Sequence, residues 1–144
     1  MCFMVQREVA DRLTAECGTR KYGRLTVNVA MTMQVEAVFD VPPTAFSPPP
    51  EVQSSMIYMQ PKQLEEPDTV TAFAFSELVR LAFGNRRKTL KNSLAGLIDE
   101  TNFLETGIDA NLRAQNLSPE NYMRLAHNSV LHNPRAREIF SNIR

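Results

Sequence analysis

From Val41 to Val52 the chain runs Val-Pro-Pro-Thr-Ala-Phe-Ser-Pro-Pro-Pro-Glu-Val. Proline locks φ, has no N–H to donate and pushes the residue before it toward extended backbone. The prolines at 42, 43, 48, 49 and 50 rule out both a helix and the interior of a sheet here, and predict a stiff, extended connector. Val35 to Val41 reads as a strand that Pro42-Pro43 ends, and Ser55 to Met59 as the strand that returns. The connector encloses Phe46, which two roles fit. It is a core phenylalanine holding a rigid turn, or an aromatic face presented on stiff backbone for a nucleic-acid base to stack on.

Upstream, Met1-Cys2-Phe3-Met4-Val5 is apolar from its first residue, a pattern expected of a fully buried strand with neighbours on both sides. Parallel neighbours would require preceding βα units, so Met1 reads like the middle of a domain. Val9 and Leu13 at helical spacing predict a short helix over Gln6 to Thr14. Gly18 and Gly23 frame a polar loop holding Arg20, Lys21 and Tyr22. Leu25, Val29 and Met33 suggest another helix, although Val27 and the threonines pull toward strand. The polar, acidic stretch from Pro61 to Pro67 is a candidate domain boundary. Beyond it the chain reads as all-helical. Thr69 to Phe83 predicts one helix ending near Gly84. Leu90, Leu94, Leu97 and Ile98 form an i, i+4, i+7, i+8 stripe expected of a second. Ser118-Pro119 starts a third, with Ser as cap and Pro in the first turn, carrying Tyr122, Met123, Leu125, Ala126 and Val130.

The 144 residues suffice for one modest core, or a small domain and part of another. Hydrophobic residues at 43% and charged residues at 22% argue against disorder. Cys2 and Cys17 offer no metal-ligand spacing, and His127 and His132 complete none, so no metal site is expected. Reduced thiols, no signal-peptide layout and no apolar run near the roughly twenty residues of a membrane helix lead to the expectation of a cytoplasmic protein without membrane contact.

Formal net charge is zero, so a nucleic-acid reading rests on local clustering. The cluster is Gly84-Asn-Arg-Arg-Lys-Thr-Leu-Lys-Asn-Ser-Leu94: Arg80, Arg86, Arg87, Lys88 and Lys91 fall together, with no acid between Glu77 and Asp99. On a helical wheel Lys88 and Asn92 point away from the leucine stripe, while Arg87 and Lys91 border it. Such a helix packs by one side and offers cations to phosphates from the other. A solvated helix face is the commoner outcome for a basic run.

Together these segments resemble a known family. Phe3-Met-Val-Gln-Arg-Glu-Val-Ala-Asp-Arg-Leu13 and Tyr22-Gly-Arg-Leu-Thr-Val27 resemble the late part of the catalytic domain of bacterial small-subunit ribosomal RNA adenine dimethyltransferases. Val41 through Ser54 resembles the family's proline-rich motif beside the target-base pocket. Arg86-Arg-Lys-Thr-Leu-Lys-Asn-Ser-Leu94 resembles the start of its C-terminal helical domain, and Gly107-Ile-Asp109, Arg113-Ala114 and Asn116-Leu-Ser118 continue the match in order. The likeness covers about residues 2 to 126; the tail from His127 onward has no counterpart in it.

The resemblance implies an α/β fold: the C-terminal end of a doubly wound, Rossmann-like methyltransferase domain (residues 1 to 61), then a small all-helical RNA-binding domain (62 to 144). It implies methyl transfer from S-adenosylmethionine to the exocyclic amines of two adjacent adenines of small-subunit ribosomal RNA. Phe46 matches the family's stacking aromatic, and Arg86, Arg87, Lys88 and Lys91 are the expected RNA contacts. The family's Gly-rich cofactor loop, acidic ribose-binding residue and Asn-Leu-Pro-Tyr motif lie upstream of the stretch matching Phe3. These residues hold no Gly-x-Gly and no Pro-Tyr pair, so the chain as given is expected to be an inactive fragment that binds no cofactor. Gln53 stands where the family usually has Asp, a change expected to alter a hydrogen bond or charge contact in the pocket wall. Two rivals are a freestanding ribosomal-RNA-binding module without catalysis, and an interaction protein whose basic helix faces an acidic partner.

Overall fold

The computed structural model describes residues 1–142, which divide into two compact units, one spanning Met1–Leu64 and the other beginning at Glu65. The first is α/β. Strand β1 (Cys2–Gln6) runs straight into helix α1 (Arg7–Leu13), and helix α2 (Arg24–Thr32) runs straight into strand β2 (Met33–Val41). A 3-10 turn (Pro43–Ala45) and the rest of the proline segment lead to strand β3 (Ser54–Pro61). The sheet order is β1-β3-β2, with both pairings antiparallel. The pairing of β2 with β3 shifts between Ala37 and Phe39, leaving Val38 as an exposed extra residue, the signature of a bulge.

The strand expected at Met1 to Val5 is present as β1. Among the described residues it pairs with β3, and Met1, Phe3 and Met4 are 57%, 45% and 51% exposed, without the second neighbour that a buried strand has. The core of this unit is instead Ala10, Tyr22, Val27 and Ile57. Thr26 pins α2 to α1: its hydroxyl donates to the Arg12 carbonyl at 2.6 Å and accepts from the Gly23 N–H at 3.0 Å.

The second unit is helical. Helix α3 (Thr69–Gly84) starts at Asp68, whose side chain accepts from the backbone N–H of Thr71 at 3.0 Å. The Thr71 hydroxyl and that N–H hold the Asp68 carboxyl below its ordinary range, because both favour the ionised form. Helices α4 (Leu90–Ser93), α5 (Glu100–Thr106), α6 (Pro119–His132) and α7 (Pro134–Asn142) follow, with a 3-10 turn at Ala114–Asn116. Ser118 caps α6, accepting from the Asn121 N–H at 3.2 Å, with Pro119 in the first turn. Buried Ala74, Leu78 and Ala82 recur every four residues on α3; Tyr122, Leu125 and Ala126 are buried on α6, and these two helices pack together.

The Leu90–Ile98 stripe does not lie on one long helix: α4 is four residues, and turns follow through Leu97. Gly96 sits at φ +89, left-handed backbone that a continuing helix cannot hold. The basic run is likewise no helix. Asn85 to Arg87 form a turn and Lys88 a bend, so the helical-wheel placement of Arg87 and Lys88 fails; Lys91 alone of the four expected contacts is helical. The tail after His127 completes α6 and forms α7, whose Ala136 and Phe140 are buried. Phe140 packs on Phe73 of α3 with ring centroids 6.3 Å apart. Ile143 and Arg144 lie outside the described residues.

Candidate nucleic-acid interface

The proline loop is positioned by β2 and β3, whose last paired residues are Val41 and Ser54. Inside it, the Ala45 N–H donates to the Pro42 carbonyl at 3.0 Å and the Phe46 N–H to the Pro43 carbonyl at 3.2 Å. These bonds close the 3-10 turn and place Phe46 at its exit in extended backbone. Phe46 is half-buried.

Both ends of the loop meet one guanidinium. Arg7, the first residue of α1, donates from Nη1 to Gln53 Oε1 at 3.0 Å, and the same nitrogen lies 3.4 Å from Asp40 Oδ2. The Arg7 backbone N–H donates to the Gln53 carbonyl at 2.9 Å. The other oxygen of Asp40 accepts from the hydroxyl of buried Ser55 at 2.5 Å. Gln53 is therefore a hydrogen-bond acceptor for Arg7, and its neutral amide leaves Asp40 as the carboxylate facing that cation. Reading along the chain did not single out Arg7 or Asp40. Arg7 and Gln53 are 46 residues apart, and no local pattern links them.

The basic turn belongs to the second unit. The Lys88 N–H donates to the Asn85 carbonyl at 2.9 Å, closing a turn that leaves Arg87 and Lys88 exposed, as is Lys91. Arg86 is half-buried, its guanidinium carbon 5.9 Å from the centroid of Phe83, within cation–π range. Phe83, Gly84, Asn85, Arg86, Arg87 and Lys88 line an open depression of about 310 Å³. The segment after the turn is held by a second strand of backbone. Thr89 bridges Arg113, the Leu90 N–H donates to the Leu112 carbonyl at 2.7 Å, and the Lys91 N–H to the Ala110 carbonyl at 3.0 Å. That pairing sets exposed Arg113 beside the turn. Arg80 does not join the group: its guanidinium makes a forked pair with Glu77, at 3.0 and 2.8 Å.

The loop framed by Gly18 and Gly23 has a matched charge, with the Lys21 ammonium 2.5 Å from Asp11. That hydrogen bond holds the Asp11 carboxyl below its ordinary range. Among the described residues no His, Cys, Asp and Glu group is placed to hold a metal ion. No helix among them is long and apolar enough to cross a membrane.

A family model described as Ribosomal RNA adenine dimethylase matches residues 1–129. Relatives named Ribosomal RNA small subunit methyltransferase A include one from Methylococcus capsulatus, 44% identical over 126 residues, covering 88% of this chain and 49% of the relative. One from Aromatoleum aromaticum is 40% identical over 136 residues, covering 94% of this chain and 51% of the relative. The chain thus spans about half the length of the curated relatives it matches. Among solved structures, a dimethyladenosine transferase from Plasmodium falciparum has a TM-score of 0.68 at 23% identity, covering 86% of this chain and 55% of that one. The 23S rRNA methyltransferase ErmE has a TM-score of 0.64 at 21% identity, covering 88% and 53%. These likenesses place the fold among methyltransferases of this type. With most of its length matched by the family model and about two-fifths of its aligned residues shared with those relatives, the chain belongs to the ribosomal RNA adenine dimethylase family.

Proposed function

We propose that these residues form the base-stacking and RNA-gripping part of an S-adenosylmethionine-dependent enzyme that dimethylates adjacent adenines of small-subunit ribosomal RNA. The observation that carries the reading is the proline loop, which offers a half-exposed aromatic on backbone too stiff to fold away. An adenine amine inside a duplex is out of reach of any active site, so the base must leave its stack and be held by its faces. Stacking on an aromatic is worth about 1–3 kcal/mol per base, and Phe46 supplies such a face. Arg86, Arg87, Lys88 and Lys91, with Arg113 beside them, supply the sequence-independent grip on phosphates.

The methyl donor does not fit the residues present. In doubly wound sheets, ligands bind in crevices beyond the carboxyl ends of strands. Here β1 passes into α1 with no intervening residue, so that strand end carries no glycine loop. A polypeptide of these residues is expected to bind S-adenosylmethionine no more tightly than about millimolar, a standard free energy near −4 kcal/mol. Isothermal titration calorimetry checks this, and micromolar binding would show a donor site that the geometry does not reveal.

The RNA reading is tested by salt. Each phosphate neutralised by a protein cation releases condensed counterions, so log Kd against log salt changes by about 0.7–0.9 per contact. Changing Arg87 and Lys88 together to Ala should reduce the slope for a small-subunit RNA fragment by roughly 1.4–1.8. Circular dichroism should be unchanged, because both side chains are exposed. An unchanged slope, or equal binding by an acidic protein surface of matched charge, would assign the turn to a protein partner.

A further inference from the structure

We propose that Arg7 is a positioning residue: a side-chain latch that ties both ends of the proline loop and thereby sets the presentation of Phe46. The proposal rests on the reading of Phe46 as a base-stacking residue. The loop needs such a device. Its five prolines donate no hydrogen bonds, and β2–β3 pairing stops at Val41 and Ser54. Within the segment, the bonds Ala45 to Pro42 and Phe46 to Pro43 fix the turn locally, but they do not orient it relative to the sheet.

Arg7 can do this because of where β1 delivers it. β1 pairs with β3 up to Gln6 opposite Ser54, and the next N–H, that of Arg7, bonds the Gln53 carbonyl. The ladder thus extends to the last residue before β3 and places the Arg7 side chain over the loop's two roots. The guanidinium takes Gln53 on the outgoing root and Asp40 on the incoming one. Asp40 is itself held by Ser55, its cross-strand partner. A planar guanidinium carries several donors in fixed geometry and can hold two acceptors at once; an ammonium of shorter reach holds one well. The carboxylate of Asp40 gives the latch its charge, and both partners of the ion pair are about half exposed, at 53% and 44%. The latch is therefore weak in absolute terms, and it acts where the β2–β3 ladder has already stopped.

The test uses the full chain and two readouts. Amide hydrogen exchange at Ala45 and Phe46 follows the loop itself. The upfield ring-current shift of adenine protons in a short adenine-containing RNA follows base contact with Phe46. Arg7→Met keeps the stem and the backbone bond while removing the latch. It should speed exchange at those two amides about three- to tenfold, abolish the ring-current shift, and leave exchange at Val27 and Ile57 unchanged. Arg7→Lys should fall between Arg7→Met and the native chain. Arg7→Met with Asp40→Asn should loosen the loop no further than Arg7→Met alone, since both remove one interaction. Native exchange at Ala45 and Phe46 in Arg7→Met would overturn the proposal, as would loosening that spreads to Val27 and Ile57. Failure of the stacking reading is separately visible: the native chain would then show no shift that Phe46→Ala removes, while exchange still decides the latch.

Discussion

Leu94→Ala is expected to destabilise the second unit by about 2–5 kcal/mol. Leu94 is fully buried, between Leu90 and Ile98, which are also buried, so truncation removes packed methyl groups and leaves a cavity in a small core. Urea unfolding followed by far-ultraviolet circular dichroism measures the loss as a lower midpoint at unchanged slope. Leu97→Ala serves as the control. Leu97 is half-exposed, and its truncation should cost well under half as much. Comparable losses at both positions would mean that the turn after α4 is packed differently from the arrangement described here.

These leucines show what the sequence carried and what it did not. Their spacing identified buried positions correctly at 90, 94 and 98, yet it suggested a helix that α4 only begins. The N–H groups of Leu97 and Ile98 both bond back to the Leu94 carbonyl, at 3.1 and 3.0 Å. A tight turn through Gly96 thus returns Ile98 to the core without further helix. Periodicity reports which side chains bury and is indifferent to whether helix or turn delivers them. The basic run misled in the same direction: charge clustering survives any local conformation, but the wheel drawn on it does not.

The proline loop was legible because its constraint is local. Proline stereochemistry acts within one or two residues and needs no knowledge of neighbours. Contacts set by strand register were illegible for the opposite reason, since no local pattern records them. The contacts of Arg7 with Asp40 and Gln53 belong to the same class. Each residue is ordinary at its own position, and only strand register brings the three together. Proline and charge patterns picked out Phe46 and the basic cluster and the family resemblance gave them roles, whereas Arg7, which meets both roots of the Phe46 loop, came from geometry.

The other large effect is expected at Asn102, a buried polar residue with no motif to advertise it. It is 1% exposed and joins the start of α5 to α6 and to the α6–α7 junction. Its Oδ1 accepts from the Asp99 N–H at 3.1 Å, completing a capping box at the start of α5. Its Nδ2 donates to Asn128 of α6 at 2.8 Å. Asn133, between α6 and α7, lies 3.4 Å from the same Oδ1 and also donates to the Leu97 carbonyl at 3.2 Å. Asn102→Ala strands the Asp99 N–H and the Asn128 acceptor while removing half of a cap, and should cost roughly 2–4 kcal/mol. Asn102→Asp keeps the capping oxygen but puts a charge where an amide donated, so it should be no less damaging near neutral pH. Asn128→Ala should cost about 1 kcal/mol, because Asn128 is half-exposed and water can replace it. The same urea series measures all three. If Asn102→Ala costs no more than Asn128→Ala, the polar cluster is not what holds α5, α6 and α7 together, and the apolar contacts of Phe103, Ala136 and Phe140 carry that junction.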